Sequence, residues 1–152
     1  MEENIHKAKE ELKRVDHLIY VSLKYTRTCD IFKSIIERLI NAIDFMLDAL
    51  LAKLEKEGAI VEIPKQAGLK CNALKEHIKD EKITEIIDYY LGLRKINRAP
   101  FTRAREFRRH VTMTCTIEGE NVEVNIDSMT GEFKKTKEYL DTIIAFIGEK
   151  EQ

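Results

Sequence analysis

Two apolar seams of helical period, separated by only a few residues, constrain this chain more than any other feature. Ile5, Ala8, Leu12, Val15 and Ile19 recur at steps of three and four, as do Phe32, Ile36, Leu39, Ile43, Met46, Leu50 and Leu54, with one final step of four. That spacing keeps one stripe of a helix apolar, and a stripe so long is stable only against a partner. The first seam predicts a helix from about Glu3 to Tyr25. The second predicts a helix from Thr28, a natural N-cap, to Glu57, with Gly58 as its stop. Long helices with so short a connection pack antiparallel. The second half of helix 1 is apolar nearly all round, through Leu18, Ile19, Val21, Leu23 and Tyr25, so its own domain or a second subunit must enclose it.

Beyond Gly58 the pattern is shorter. Ile60 to Ile63, closed by Pro64, reads as an extended connector. Short helices are expected over Leu69–Lys79 and Lys82–Ile96, and Asn97 to Pro100 breaks the second. Thr102 offers an N-cap for a brief helix through Arg109. Then the period changes to two. Val111, Met113, Cys115 and Ile117 alternate with threonines, and Val122, Val124 and Ile126 alternate with Glu123, Asn125 and Asp127. With Glu118-Gly119-Glu120-Asn121 between them, these runs predict a β-hairpin at about 111–127. A last helix is expected over Gly131–Ile147, with Phe133, Leu140, Ile143, Ile144 and Ile147 inward and Gly148 as its stop. The expected fold is mainly α (α+β): one domain over 1–152, an antiparallel helical bundle with a β-hairpin before the C-terminal helix. An isolated hairpin is marginal in water, so its apolar face must lie on the helices or pair with another chain.

The chain needs no disulfide or metal staple, because about 150 residues bury roughly 70 per cent of their unfolded surface. Cys29, Cys71 and Cys115 are odd in number and match no zinc spacing, which predicts reduced, buried thiols. No run of about 18 apolar residues marks a membrane span, and the charged N-terminus is unlike a secretory signal. A cytoplasmic protein with no cofactor, no metal and no membrane partner is the expectation. His6, His17 and His77 show no ligand spacing and are expected at the surface.

The strongest local signal is charge. Arg94, Lys95, Arg98, Arg103, Arg105, Arg108 and Arg109 face one acid, Glu106, before His110, in a chain whose formal net charge is only -1. So many cations require an anionic partner, inside the protein or outside it. Outside, they could neutralise several phosphates of RNA, with Phe101, Phe107 and Tyr89 or Tyr90 placed to stack on bases. Inside, Glu37, Asn41, Asp44 and Asp48 form a polar ridge on helix 2, opposite its seam. Asp16, Tyr20 and Arg27 lie along one edge of the helix 1 seam. Half-buried groups there need partners, so a structural polar network is expected, with Asp16 available to an arginine of the basic segment.

Arg105 and His110 are separated by four residues, and Arg103 and His110 by six. This spacing resembles the Arg-x4–6-His signature of the HEPN superfamily, small all-helical bundles of which many are metal-independent ribonucleases with a site built across a dimer. The resemblance implies that Arg105 or Arg103 steadies the scissile phosphate while His110 moves the proton. On a continuous helix Arg103 would share a face with His110, because residues seven apart fall within about 20° of each other. The chain is also similar to a group of small archaeal proteins with blocks like YVSLKYTRT (Tyr20 to Thr28) and REFRRHVTMT (Arg105 to Thr114), a resemblance that brings no activity with it.

Three functions remain on the sequence alone. The first is an interaction or nucleic-acid-associated module that uses the basic segment 94–110 for RNA or another anionic ligand. The second is a HEPN-like ribonuclease with Arg103, Arg105 and His110 as its catalytic groups. The third is a structural homo-oligomer whose arginines are engaged by its own acids.

Overall fold

A computed structural model describes residues 1–151, and the side chains of residues 1–148. The order is α1 (Glu2–His17), continued through a π-turn (Leu18–Ser22) and a last α-turn (Leu23–Tyr25), then α2 (Cys29–Lys56), α3 (Ala67–His77), α4 (Glu81–Arg98), β1 (Phe101–Ala104), β2 (Thr112–Ile117), β3 (Glu120–Val124) and α5 (Ile126–Glu151). The fold is mainly α with one small antiparallel sheet. Among the described residues, no helix is long and apolar enough to cross a membrane.

Helix α2 is the centre. Its buried residues include the whole expected seam and also Ile35, Ile40, Ala42, Leu47, Ala49 and Leu51, so well over half its circumference is covered. Helices α1, α3, α4 and α5 all pack against it. Each fully buried Leu or Ile adds about 2 kcal/mol from water exclusion, which makes this helix the main source of core stability. Its stop is as expected: Gly58 takes a left-handed backbone (φ 79), and the N–H groups of Gly58 and Ala59 return to the carbonyls of Glu55 and Leu54. Its start is also where expected, with Thr28 at the N-cap, but the Thr28 side chain makes no capping bond; a carboxylate from far along the chain supplies the acceptor, as described below.

The helix expected from Thr102 to Arg109 is absent. Those residues form β1 and an irregular turn, and the hairpin becomes a three-stranded sheet of order β1-β2-β3. Thr102 lies opposite Thr114 and Arg103 opposite Met113. Pairing decides this: without β1, one edge of β2 would leave its backbone groups without partners. The β2–β3 connection is the two-residue turn Glu118-Gly119, both with positive φ (52 and 81), the geometry that fits the right-handed twist of a hairpin. The inner face carries Val111, Met113, Cys115 and Val124, all buried, and the outer face carries Thr112, Thr114 and Glu123.

Two helix boundaries also move. Helix α5 starts at Ile126, not near Gly131, because Asn125 and Ser128 cap it reciprocally: the Asn125 side chain accepts the Ser128 N–H (2.8 Å) and the Ser128 hydroxyl accepts the Asn125 N–H (2.9 Å). It also runs through Gly148, and Ile144 points outward, 38% exposed. In helix 1, the π-turn adds a residue per turn and leaves Tyr20, Val21 and Tyr25 exposed while Ile19 and Leu23 stay inside.

Asp44 and Asp48 of the polar ridge do not receive the arginine cluster. They receive Lys70 of α3, whose Nζ lies 3.2 Å from Asp44 and 2.8 Å from Asp48, and Tyr90 donates its hydroxyl to Asp44 at 3.0 Å. Burial pulls the Lys70 ammonium down, but the hydrogen bonds and charges of Asp48 and Asp44 outweigh it and leave its pKa raised above 10.5. A raised lysine stabilises the fold fully below its unfolded value, and this is lost as pH rises through the folded one. Lys70→Ala should therefore lower the unfolding free energy at pH 7 by about 2–3 kcal/mol. In urea titrations its difference from wild type should shrink above pH 10.5; a deficit that stays constant to high pH would contradict the assignment.

Candidate functional site

Between β1 and β2 the chain makes a turn that two unusual backbone positions define. Arg105 (φ 55) and Phe107 (φ 66) both adopt the left-handed region, which costs about 1–2 kcal/mol for a residue with a Cβ. Three ties hold them. The Phe107 N–H donates to the Arg27 carbonyl at 2.6 Å. The Arg108 N–H returns to the Arg105 carbonyl at 3.3 Å, and the Val111 N–H to the Arg108 carbonyl at 3.1 Å. Between the two strained residues, Glu106 turns inward and accepts the N–H of Cys29, the first residue of α2, at 3.3 Å. The only acid of the basic segment is thus the missing cap of the central helix, where a negative charge also meets the positive end of the helix dipole. The Cys29 thiol donates to the Thr112 carbonyl at 3.6 Å and binds the start of β2 to the same point.

This anchoring sorts the cations. With Glu106 inward, Arg105, Phe107, Arg108, Arg109 and His110 are all exposed. Arg105, Arg109 and His110 then meet Arg27, from the turn between α1 and α2, around a cleft of about 500 Å³. Thr112 and Glu123 contribute the outer face of the sheet, and Asn125, Ile126 and Asp127 contribute the N-terminus of α5. Among the described residues, none of Arg27, Arg105, Arg109 and His110 has a side-chain ion pair or hydrogen bond, and the Nε of Arg27 is buried without a partner. A buried unpaired N–H costs about 1–3 kcal/mol. Glu123 and Asp127 also stand unpaired in the same cleft.

The other cations go elsewhere. Arg103 lies on the inner face of the sheet, seven residues before His110 in sequence but across the pleat from the cleft. Its guanidinium is 2.9 Å from Asp30 and 3.6 Å from Glu106, and stacks over Phe101 at 5.1 Å. The Asp30 hydrogen bond and charge raise its pKa further. Arg103 therefore supports the anchor and is kept from His110, since no helix continues between them. Lys95 pairs with Glu118 at 3.5 Å. Arg94 lies over the Tyr90 ring and shares a separate groove with Arg98, Glu37 and Asn41. The seven cations do not form one face.

The structure does not join Asp16, Tyr20 and Arg27. Asp16 is exposed in a groove with Phe133 and Lys137, Tyr20 packs edge-on against Phe133, and Arg27 enters the cleft. The π-turn and the end of the helix at Tyr25 invalidate arithmetic that assumes 100° per residue as far as Arg27. Cys29, Cys71 and Cys115 are buried thiols, each with its pKa raised by burial, and for Cys29 by Glu106 as well. Among the described residues, no group of three His, Cys, Asp or Glu could hold a metal ion.

Sequence reasoning missed Glu123, Asn125 and Asp127 as site residues. The signal available was the Asn-x-x-Ser spacing of Asn125 and Ser128, a helix start that ends the hairpin earlier than its alternation suggests. No family model, no curated protein and no solved structure matches this chain.

Removing the anchor should release the turn. Glu106→Ala is expected to cost about 1–2 kcal/mol. It should also speed amide exchange at Cys29 and Phe107, measured by hydrogen–deuterium exchange. Unchanged protection at both amides would contradict the role assigned to Glu106.

Proposed function

We propose that this protein binds RNA through the cleft that Arg27, Arg105, Arg109 and His110 line. The observation that carries this reading is the convergence of three guanidinium groups without an internal ion pair around one cleft. A guanidinium binds phosphate through two charge-assisted hydrogen bonds, and the N-terminus of a helix adds a favourable field for an anion. Phe107 and Tyr25, 75% and 78% exposed, lie within two residues of cleft arginines and provide rings for base stacking. The near-neutral total charge fits a local patch and not a general polyanion surface. A cytoplasmic location is part of the proposal, as is self-association through the exposed Tyr20 and Val21.

Fluorescence anisotropy with a single-stranded RNA tests it. Arg105→Ala and Arg109→Ala should each weaken binding about 10-fold and reduce the slope of log affinity against log salt by about one. Lys95→Ala should leave affinity within about twofold, because that ammonium pairs with Glu118 and does not line the cleft. Undetectable binding at low salt, or an equal loss in Lys95→Ala, would sink the proposal.

A HEPN-like ribonuclease is the second reading, and the shared cleft of Arg105 and His110 favours it. His110 would take the proton of a ribose 2′-hydroxyl as that oxygen attacks phosphorus; the P–O5′ bond would break to leave a 2′,3′-cyclic phosphate, the departing 5′-oxygen would take a proton from water, and Arg105 would stabilise the added negative charge on the phosphoryl oxygens. The three-stranded sheet departs from the all-helical HEPN bundle. His110→Ala should abolish cleavage of RNA while keeping affinity within about threefold. Cleavage that survives this substitution in purified protein removes the second reading and leaves the first standing.

A further inference from the structure

We propose that the cleft is specific for ribonucleotides, with Glu123 and Asp127 each accepting a hydrogen bond from a different ribose 2′-hydroxyl of the bound strand. The inference rests on the RNA-binding reading and adds to it which sugar the site takes.

The two carboxylates are the part of the cleft that phosphate binding does not explain. They line the same space as Arg27, Arg105 and Arg109, and neither closes an ion pair with any of them. Toward a phosphate alone they are unfavourable, since each repels the anion that the guanidiniums attract. Structural roles account for only part of this. Asp127, in the first turn of α5, gains from the helix dipole, but Asn125 and Ser128 already provide the cap. Glu123 stands on the outer face of the edge strand β3, opposite Thr114, and has no partner there.

A ligand that carries both an anion and a hydrogen-bond donor suits the guanidiniums and the carboxylates of this cleft together. A ribonucleotide does so, because its 2′-hydroxyl is a donor beside the phosphodiester. Deoxyribose offers no donor at that position, so DNA meets the same repulsion without compensation. A 2′-hydroxyl is the group by which a protein tells RNA from DNA at a given contact. A carboxylate is the strongest acceptor a side chain can offer it.

The experiment compares single-stranded RNA, DNA of equivalent sequence and 2′-O-methyl RNA on the full-length protein, by fluorescence anisotropy at one salt concentration. Wild type should bind RNA at least about 10-fold tighter than DNA or 2′-O-methyl RNA. Glu123→Ala with Asp127→Ala should weaken RNA binding and strengthen DNA binding, bringing the ratio to within about twofold. If the carboxylates only balance the arginines, the double variant should bind RNA and DNA tighter by the same factor, and that outcome overturns the inference. Equal affinity of wild type for RNA and DNA, still lost in Arg105→Ala, also overturns it and leaves the RNA-binding cleft in place. Failure of wild type to bind any of the three removes both. The comparison of the three ligands on unaltered protein does not depend on the double variant folding.

Discussion

Helix α2 has apolar side chains over most of its circumference, and their removal from water is the interaction from which the other placements follow. Ala8, Leu12, Val15 and Ile19 of α1 close one side. Ile83, Ile86, Ile87 and Leu93 of α4 and Met129, Phe133 and Ile143 of α5 join the same core elsewhere. A helix so enclosed cannot leave its N-terminal N–H groups to water, so a partner must come from the protein itself. That requirement explains why Glu106, seventy-seven positions away from Cys29, turns inward.

The consequence for function follows from one turn of backbone. Glu106 lies between two residues in left-handed conformations, so drawing its side chain to the helix end forces Arg105 and Phe107 outward. The stability of the bundle and the exposure of the basic groups are then one arrangement. The Arg103 guanidinium between Asp30 and Glu106 reinforces it from the inner side. A cluster that reads in sequence as uniform charge is divided by the pleat of a four-residue strand into a structural part and an open part. The open part gains Arg27, which belongs to a different connection.

The acidic groups show the same division. Asp44 and Asp48 serve Lys70 and Tyr90 within the bundle. Glu123 and Asp127 remain unpaired in the cleft. Within the bundle these charges are matched group by group, while Arg27, Arg105, Arg109, Glu123 and Asp127 share one cleft without ion pairs of their own.

Local rules made the helices legible before any coordinates. The seams of α1 and α2, the Gly58 stop and the period-two run of β2 each depend on neighbours within a few residues, and each is found. The strand at Phe101–Ala104 was not legible, because Thr102 is as good a helix cap as a strand residue and only the unpaired edge of β2 decides between them. Nor was the π-turn, since a single extra residue in a helical turn leaves no mark in composition. The chain alone determined only that four residues separate Arg105 and His110, a spacing that on a helix would set them about 140° apart, and that they line one cleft depended on the turn between β1 and β2. That Arg27 joins them, that Arg103 does not, and that two carboxylates face them depended on tertiary structure. Those relations span tens of residues and are set by which backbone groups must be paired once α2 is buried.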